Sequence, residues 1–323
     1  MPAEWAPHER TLMAWPRREA LWGAHMDEAR REYAAVANAI AAFEPVTLVA
    51  DPAHAGSARA MTGAGVDVVT RRIDDSWVRD SGPIFVVGED GSRVGVHFRF
   101  NGWGGKYLPC DADEETGRWL AGHLGDPVVE APLVLEGGSI AVDGEGTLLT
   151  TEQCLLHPNR NPDLDRAAIE VALREHLGAE RIVWLGEGLV EDRDTDGHVD
   201  LIASFCAPGR VLLLDVGEDN PNFAACRENR RRAEAAGLEV LALDRLAYVE
   251  VGGERVAVSY LNLYVCNGAV IVPVAGTEDD EPALAAIGRA FPGREVVPVP
   301  GRVLAFGGGG PHCITQQVPA RRR

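Results

Sequence analysis

Five stretches of the chain place apolar residues at the three- and four-residue spacing of an amphipathic helix. The first runs from Asp27 to Phe43 and puts Tyr33, Val36 and Ile40 on one face. The same pattern predicts five helices, with the approximate ranges 27–43, 112–124, 163–177, 222–236 and 279–291.

A strand-like run follows every predicted helix, and a polar segment comes after each run. The runs contain VDVVT, PVVEAPLV, RIVWL, LEVLAL and REVVPVP. The polar landmarks are Asp80, Glu136, His198, Asn262 and Cys313, separated by 56, 62, 64 and 51 residues. This order predicts a degenerate repeat of about 60 residues, and five such units around an axis would bring the landmarks together.

The repeat predicts an α/β fold in which residues 1–323 form one closed domain with pseudo-fivefold symmetry and no interdomain linker. The chain has 323 residues, of which 46% are hydrophobic, so it can bury one large core. A two-domain α/β protein is the alternative.

The net charge and the cysteine pattern limit which binding partners and which cellular compartment we expect. A net charge of −18 disfavours nucleic acid and anionic membranes as partners and favours a cation. No apolar run is long enough to cross a membrane, and the first residues lack the apolar region of a secretory signal. Six cysteines without a CxxC pair indicate reduced thiols, so we expect a cytoplasmic protein.

The segment GGGGPHCITQQVP near the C-terminus contains the candidate nucleophile, Cys313. Four consecutive glycines cost conformational entropy, which is justified where the backbone must pass close to another group. A flexible tail is the alternative for the glycines, and a buried structural thiol is the alternative for the cysteine. Because His312 and a polar Thr-Gln-Gln flank Cys313, we interpret it as a nucleophile.

The segment DGHVD contains a candidate acid/base and a carboxylate. If His198 and Asp200 lie in a strand, their side chains point to the same face. A solvent-facing polar pair on an edge strand is the alternative. A metal site is disfavoured because no HExxH or CxxC cluster accompanies the pair, so no metal and no cofactor are expected.

Two further segments supply acids. In WVRDSGP, Trp77 offers a face for an apolar or cationic group and Asp80 offers a charge; a core Trp and a turn Asp are the alternative. In LVLEGGSIAV, Glu136 is the one acid in an otherwise apolar predicted strand, and a buried carboxylate requires a partner. A structural salt bridge is the alternative for Glu136.

Three carboxylates in one pocket would repel each other unless a cation binds between them. A planar guanidinium fits, because two carboxylates can hold its N–H donors by paired hydrogen bonds. A cysteine thiolate could then attack the central carbon, and a histidine could protonate the departing ammonia. Water would release the thiouronium intermediate and leave a ureido product.

The motifs MPAEWAPHE, WVRDSGP, NGWGGKY, LEGGSI, LLTTEQCLLHPNRNP, DGHVD, SYLNLY and GGGGPHCITQQVP resemble those of agmatine deiminases in the guanidino-group-modifying (pentein) superfamily. The resemblance spans nearly the whole chain. It implies a five-bladed α/β propeller that converts agmatine to N-carbamoylputrescine and ammonia, on a route to putrescine.

The resemblance also implies roles for individual residues. Cys313 would be the nucleophile and His198 the acid/base, Asp80 and Asp200 would grip the guanidinium, and Glu136 would partner the histidine and the substrate. Two tryptophans, Trp77 and Trp103, would line a sleeve around the alkyl chain of the substrate. The oligomeric state stays open between a monomer, a homodimer and a larger homo-oligomer.

Two departures from the family pattern bear on specificity. Gly310 and Pro311 replace the usual Asn-Ile pair, and DRDTDGHVD drifts toward the related bacterial peptidylarginine deiminases. Arginine, unlike agmatine, has a carboxylate that needs a cationic partner, for which Arg79 and Arg99 are candidates. The rivals are therefore a deiminase of arginine, peptidylarginine or another guanidine, an amidinotransferase, and a non-catalytic binding protein of this fold.

Overall fold

The computed structural model describes residues 1–321, so the last two residues of the predicted domain lie outside the description. The strands of this part of the chain are β1 His8–Ala14, β2 Val46–Ala50, β3 Val66–Thr70, β4 Ile84–Val87, β5 Arg93–Arg99, β6 Val128–Val134, β7 Ile140–Val142, β8 Thr147–Thr151, β9 Arg181–Leu185, β10 Ala203–Ala207, β11 Arg210–Leu214, β12 Glu239–Leu243, β13 Ala247–Val251, β14 Glu254–Val258, β15 Tyr264–Cys266, β16 Ala269–Val274, β17 Glu295–Pro300 and β18 Thr315–Pro319.

The helices alternate with these strands. They are α1 Glu19–Trp22, α2 Met26–Ala41, α3 Ala55–Met61, α4 Val78–Ser81, α5 Gly102–Gly105, α6 Asp111–Glu114, α7 Thr116–His123, α8 Glu152–Leu155, α9 Arg166–Leu177, α10 Phe223–Ala235, α11 Asp280–Ala290 and α12 Arg302–Phe306. Three 3₁₀ turns complete the set: Gly23–His25, Gly137–Ser139 and Val199–Leu201. None of the helices in residues 1–321 combines the length and hydropathy of a membrane span.

Five sheets share one pattern of strand directions. In β4-β5-β6, β7-β8-β9, β10-β11-β12 and β15-β16-β17, the first pair is antiparallel and the second pair is parallel. The fifth sheet, β18-β1-β2-β3, begins in the same way, with β18 antiparallel to β1 and β1 parallel to β2. It joins the two ends of the chain. A long crossover containing a helix connects every one of these parallel pairs, as parallel pairing requires.

The five predicted helices are present, with shifted ends. The third predicted helix starts at Arg166 rather than near residue 163, because the Asp165 side chain accepts a hydrogen bond of 2.9 Å from the Ala168 N–H and caps it. It ends at Leu177, and the next residue, Gly178, has a φ of 68° that suits a C-terminal cap. The second predicted helix is divided into α6 and α7. The helices bury one stripe each, as Ile169 and Leu173 do in α9.

Polar segments leave the sheets after the parallel strands and meet at one place. Asp80 lies in α4 after β3, and Glu136 lies after β6, immediately before the turn Gly137–Ser139. His198 precedes the turn Val199–Leu201, and Cys313 lies between α12 and β18. The prediction that Glu136 lies inside a strand is therefore wrong, because β6 ends at Val134.

Candidate active site

The glycine-rich segment before Cys313 passes close to other side chains. A Cβ atom on Gly309 would lie 2.8 Å from the Cys313 Sγ atom and 2.8 Å from the Trp77 ring. Gly308 has a φ of 102°, which side chains with a Cβ rarely adopt. The segment therefore needs glycine for close approach, and it is packed rather than a loose tail.

Cys313 is buried, with an exposed fraction of 4%. Its Sγ atom lies 3.1 Å from the Asn262 amide nitrogen and 3.4 Å from Asp200 Oδ2. The side-chain oxygen of Asn262, Oδ1, also accepts a hydrogen bond of 3.3 Å from the Cys313 N–H. Asn262 was identified from the sequence only as a landmark of the repeat, and the structure shows that it holds the cysteine in place.

The Asp80 carboxylate is held by two donors. Its Oδ1 accepts a hydrogen bond of 2.9 Å from the Gly138 N–H, and its Oδ2 accepts one of 2.9 Å from the Trp103 indole. Trp103 has a φ of 54°, a costly backbone conformation for a bulky residue, so this side chain is placed at the expense of local strain.

Gly138 lies at the point where the acids and the histidine converge. A Cβ atom there would be 2.6 Å from His198 Nδ1 and 2.9 Å from both Asp80 Oδ1 and Asp200 Oδ2. The second glycine of LEGGSI is therefore required by the side chains around it.

His198 and Asp200 face the same site, but not because they lie in a strand. That prediction is wrong: Val199–Leu201 forms a 3₁₀ turn. The Asp192 carboxylate accepts hydrogen bonds from the N–H groups of Gly197 and His198, at 2.9 and 3.1 Å. These two donors are therefore bonded to a loop side chain and not to a neighbouring strand.

The His198 ring is fully buried between two acids. Its Nδ1 lies 3.9 Å from Asp80 Oδ1, and its Nε2 lies 3.9 Å from Glu136 Oε2. Neither ring nitrogen has a hydrogen-bond partner within the described residues. The imidazole thus lies between two carboxylates, and the Cys154 thiol lies nearby as well.

Glu136 takes part in a salt bridge and also faces the site. Its Oε1 accepts a hydrogen bond of 2.7 Å from Arg160 Nε, while its Oε2 is the oxygen near His198. Arg160 also donates to Asp196 at 2.7 Å and to the Thr195 carbonyl at 2.9 Å. Glu136 therefore forms a structural salt bridge with Arg160 and also faces His198. Arg160 was not singled out, although it stands in the quoted motif LLTTEQCLLHPNRNP.

Burial and like charges shift the pKa values of the site. Burial raises the pKa of Asp80 to about 6; the charge of His198 opposes this shift, and those of Asp200 and Glu136 add to it. Burial, together with Asp200 and Asp80, raises the pKa of Cys313 well above its usual value. The pKa of His198 is raised: burial lowers it, but the charge of Asp80 and the surrounding groups outweigh that. A cation between the acids would favour the thiolate.

Cys313 is part of the lining of a pocket. Both predicted tryptophans, Trp77 and Trp103, line it. Its complete lining is Leu21, Trp77, Asp80, Trp103, Tyr107, Asp194, Thr195, Gly307, Gly308 and Cys313. No lysine or arginine is among these lining residues, so the charged side chains of the pocket are acids.

Asp194 and Tyr107 were not predicted. The Tyr107 hydroxyl donates a hydrogen bond of 2.5 Å to Asp194 Oδ1, and burial raises the pKa of Asp194. Both residues stand in quoted segments, NGWGGKY and DRDTDGHVD, but the sequence pattern did not show that these segments meet.

The two arginines considered as partners for a substrate carboxylate lie elsewhere. The Arg79 side chain is buried and donates to the His312 carbonyl at 3.2 Å and to Gln317 at 2.8 Å. Arg99 is exposed at the end of β5. Neither lines the pocket.

One group of side chains has donor types that suit a metal ion. Glu136, Cys154 and His198 each offer one ligand atom, and these atoms lie within 4.8 Å of one another. Such donors suit zinc. Two of the three are the predicted acid/base pair, and Glu136 already shares its other oxygen with the cationic Arg160.

Comparison with known proteins defines the family. The profile of the Porphyromonas-type peptidyl-arginine deiminase family matches residues 1–319. This chain belongs to that family. It is 43% identical to an agmatine deiminase of Stutzerimonas stutzeri over 99% of this chain and 95% of that protein.

Solved structures agree with the fold. An agmatine deiminase of Enterococcus faecalis superposes with a TM-score of 0.94 at 34% identity, covering 100% of this chain and 96% of that one. The N-terminal domain of a cyanobacterial arginine dihydrolase shares the fold alone, with a TM-score of 0.56 at 16% identity over 96% of this chain and 97% of its own. The predicted α/β pentein fold class and the family resemblance are confirmed.

Proposed function

We propose that this family member hydrolyses agmatine to N-carbamoylputrescine and ammonia through a covalent intermediate on Cys313. The observation that carries the proposal is the pocket itself. Cys313 and Asp80 line it together with three aromatic residues and a further acid, Asp194. Asp200 lies next to them, with its Oδ2 3.4 Å from the Cys313 Sγ. A molecule with a guanidinium at one end and an ammonium at the other matches this distribution of charge.

The guanidinium would bind between Asp80 and Asp200. Asp200 Oδ1 has no hydrogen-bond partner among the described residues, so this oxygen is free to accept a substrate N–H. Asp80 and Asp200 both lie next to the His198 ring, because all three side chains surround Gly138. A bound cation removes the repulsion that raises the pKa of Cys313, so substrate binding itself would favour the reactive thiolate.

The reaction then has two halves. The Cys313 thiolate adds to the guanidinium carbon, and the C–N bond to one terminal nitrogen breaks as His198 donates a proton to the departing ammonia. A water molecule next adds to the thiouronium carbon and loses a proton to His198. The C–S bond breaks, the thiol is regenerated, and a ureido group leaves. One water is consumed and one ammonia is released.

Glu136 would act through His198. Its Oε1 is fixed by Arg160 at 2.7 Å, so its Oε2 stays directed to the ring nitrogen 3.9 Å away. The carboxylate stabilises the imidazolium that must carry the proton, and it provides a second acceptor for the substrate N–H groups.

The far end of the pocket supports agmatine over arginine. Asp194 provides a carboxylate for an ammonium, whereas an arginine carboxylate would meet the same negative charge without a lysine or arginine in the lining. The relatives that bear the name agmatine deiminase agree with this preference. We further propose that the chain acts as one domain of five repeats, in the cytoplasm, without a cofactor.

The test measures ammonia release from agmatine, from arginine and from a peptide with an internal arginine, with and without EDTA. We expect release from agmatine alone, unchanged by EDTA, and none from a folded Cys313→Ser variant. Release from arginine or the peptide instead would refute the assignment of Asp194 to an ammonium. Loss of activity in EDTA would point to a metal-dependent reaction.

A further inference from the structure

His312 lies beside the nucleophile but outside the substrate pocket. Its Nδ1 is 2.8 Å from Asp200 Oδ2, and its Nε2 is 2.6 Å from Glu4 Oε1. The residue is 7% exposed and lines a second cavity with Asp200, Glu4 and Arg79. One imidazole therefore connects the N-terminal segment to a carboxylate of the candidate active site.

An imidazole with a carboxylate at each nitrogen donates from both nitrogens only as the imidazolium. Burial and the charge of Arg79 lower the pKa of His312, but Glu4 and Asp200 outweigh them and raise it. Glu4 in turn has a pKa lowered to about 2: burial would raise it, and the charges of His312 and Arg79 lower it. The two short contacts and the directions of these shifts favour a row of an anion, a cation and an anion.

The two oxygens of Asp200 have different surroundings. Oδ2 is bonded to His312 and faces the Cys313 Sγ at 3.4 Å, whereas Oδ1 has no partner in the part of the chain that the structure describes. The hydrogen bond from His312 to Oδ2 restricts rotation of the carboxylate, so it also fixes where the unpartnered Oδ1 lies. This division of roles distinguishes the contact from a simple anchor for the N-terminus.

We propose that His312, held by Glu4, is a positioning residue that orients the Asp200 carboxylate and keeps it charged for the incoming guanidinium. This inference rests on the proposed function of Asp200. It makes the N-terminal segment a functional part of the site. The charged or titratable groups that face Asp200 are His312, His198, Arg79, Asp80 and Cys313.

The direction of the effect follows from these groups. Burial raises the pKa of Asp200, and the hydrogen bond and charge of His312, followed by the charges of His198 and Arg79, lower it below its usual value. Removing the His312 charge would raise the pKa of Asp200, so the carboxylate would stay protonated to higher pH. Guanidinium binding should then weaken, most strongly on the acidic side.

The experiment measures agmatine binding by calorimetry in a Cys313→Ser background, which separates binding from turnover. We expect His312→Gln to weaken agmatine binding about ten- to a hundredfold at neutral pH. In a plot of affinity against pH, the fall in affinity on the acidic side (the acidic limb) should occur at higher pH. Glu4→Gln should act in the same direction with a smaller effect. The matched control is Glu9→Gln, because Glu9 also lies near the N-terminus but pairs with Arg93 at 2.9 Å. It should leave affinity unchanged.

Unchanged affinity and an unchanged acidic limb in folded His312→Gln would overturn the proposal, even if the melting temperature fell, since that result describes an anchor only. If His312→Gln does not fold, the Glu4→Gln variant decides by the same criterion. If the Cys313→Ser parent does not bind agmatine, the proposed function has failed.

In that case a measurement without substrate still decides the role of His312. The rate of Cys313 alkylation by iodoacetamide, followed against pH by peptide mass, should move to higher pH in His312→Gln. The reason is that the variant loses the cation paired with Asp200, whose Oδ2 lies 3.4 Å from the Cys313 Sγ. An unchanged alkylation profile would overturn the inference.

Discussion

Gly138 is the position where one methyl group should damage the site most. An alanine Cβ there would lie 2.6 Å from His198 Nδ1 and 2.9 Å from one oxygen each of Asp80 and Asp200. Ordinary contact begins at 3.4 Å, so the ring would have to move by about 0.8 Å and each carboxylate by about 0.5 Å. Gly138 has no positive φ, so the backbone itself accepts alanine.

Displacements of this size in several reacting groups should lower kcat/KM for agmatine by about a hundredfold or more. Overpacking in a buried place costs roughly 1–3 kcal/mol, which should reduce the melting temperature by a few degrees without unfolding the protein. The assay is steady-state ammonia release, accompanied by circular dichroism and thermal melting of the same samples.

The matched control is Gly122→Ala in α7. Gly122 is exposed, has no positive φ, and its added Cβ would meet nothing within 4 Å. Alanine should raise stability there by about 0.5–1 kcal/mol and leave kcat/KM unchanged. Wild-type kcat/KM in Gly138→Ala would refute the arrangement of the three side chains described above.

Three further substitutions test separate parts of the site. Cys313→Ala should abolish ammonia release in a protein that melts like the wild type; residual turnover at the wild-type rate would exclude the covalent route. Asp80→Asn should mainly raise KM for agmatine, and it should also change stability in a pH-dependent way. Because the pKa of Asp80 is raised from 3.8 to about 6, the folded state keeps a proton that the unfolded state loses, so the wild type loses roughly 3 kcal/mol of stability as pH rises through this window. The variant lacks that loss, so it should melt higher than the wild type at pH 7 and about equally at pH 3; the opposite order would contradict the pKa assignment. Asp194→Asn should raise KM for agmatine about ten- to a hundredfold while hardly changing kinetics with a guanidine that lacks the ammonium, such as butylguanidine, and an equal loss with both compounds would show that Asp194 does not bind the far end.

The role of a residue could be predicted where its type is energetically unfavourable in the surrounding sequence. Glu136 in an apolar run and Cys313 after four glycines both required an explanation, and the structure brings both near His198 or Asp200. Arg160 and Asp194 gave no such signal, because charged residues in polar loops are common. Only the packing of one loop against another makes them part of the site.

Local sequence also determined the alternation of helices and strands, since hydrophobic periodicity is a property of neighbouring residues. It did not determine the conformation of the tips. His198 and Asp200 reach one site from a 3₁₀ turn and the residue before it, so strand alternation does not explain their common direction. The contact between Glu4 and His312 joins residues 308 positions apart.

The amino-acid sequence by itself therefore determined the succession of elements and the chemical types that meet at their ends. The tertiary structure decided which oxygen of Glu136 and of Asp200 is occupied and which is free, and it placed Asp194 rather than an arginine in the lining of the pocket. The physical reason is the distance along the chain over which each effect acts. Periodicity and residue cost act within a few residues, whereas the direction of a buried hydrogen bond depends on groups that only the closed fold brings together.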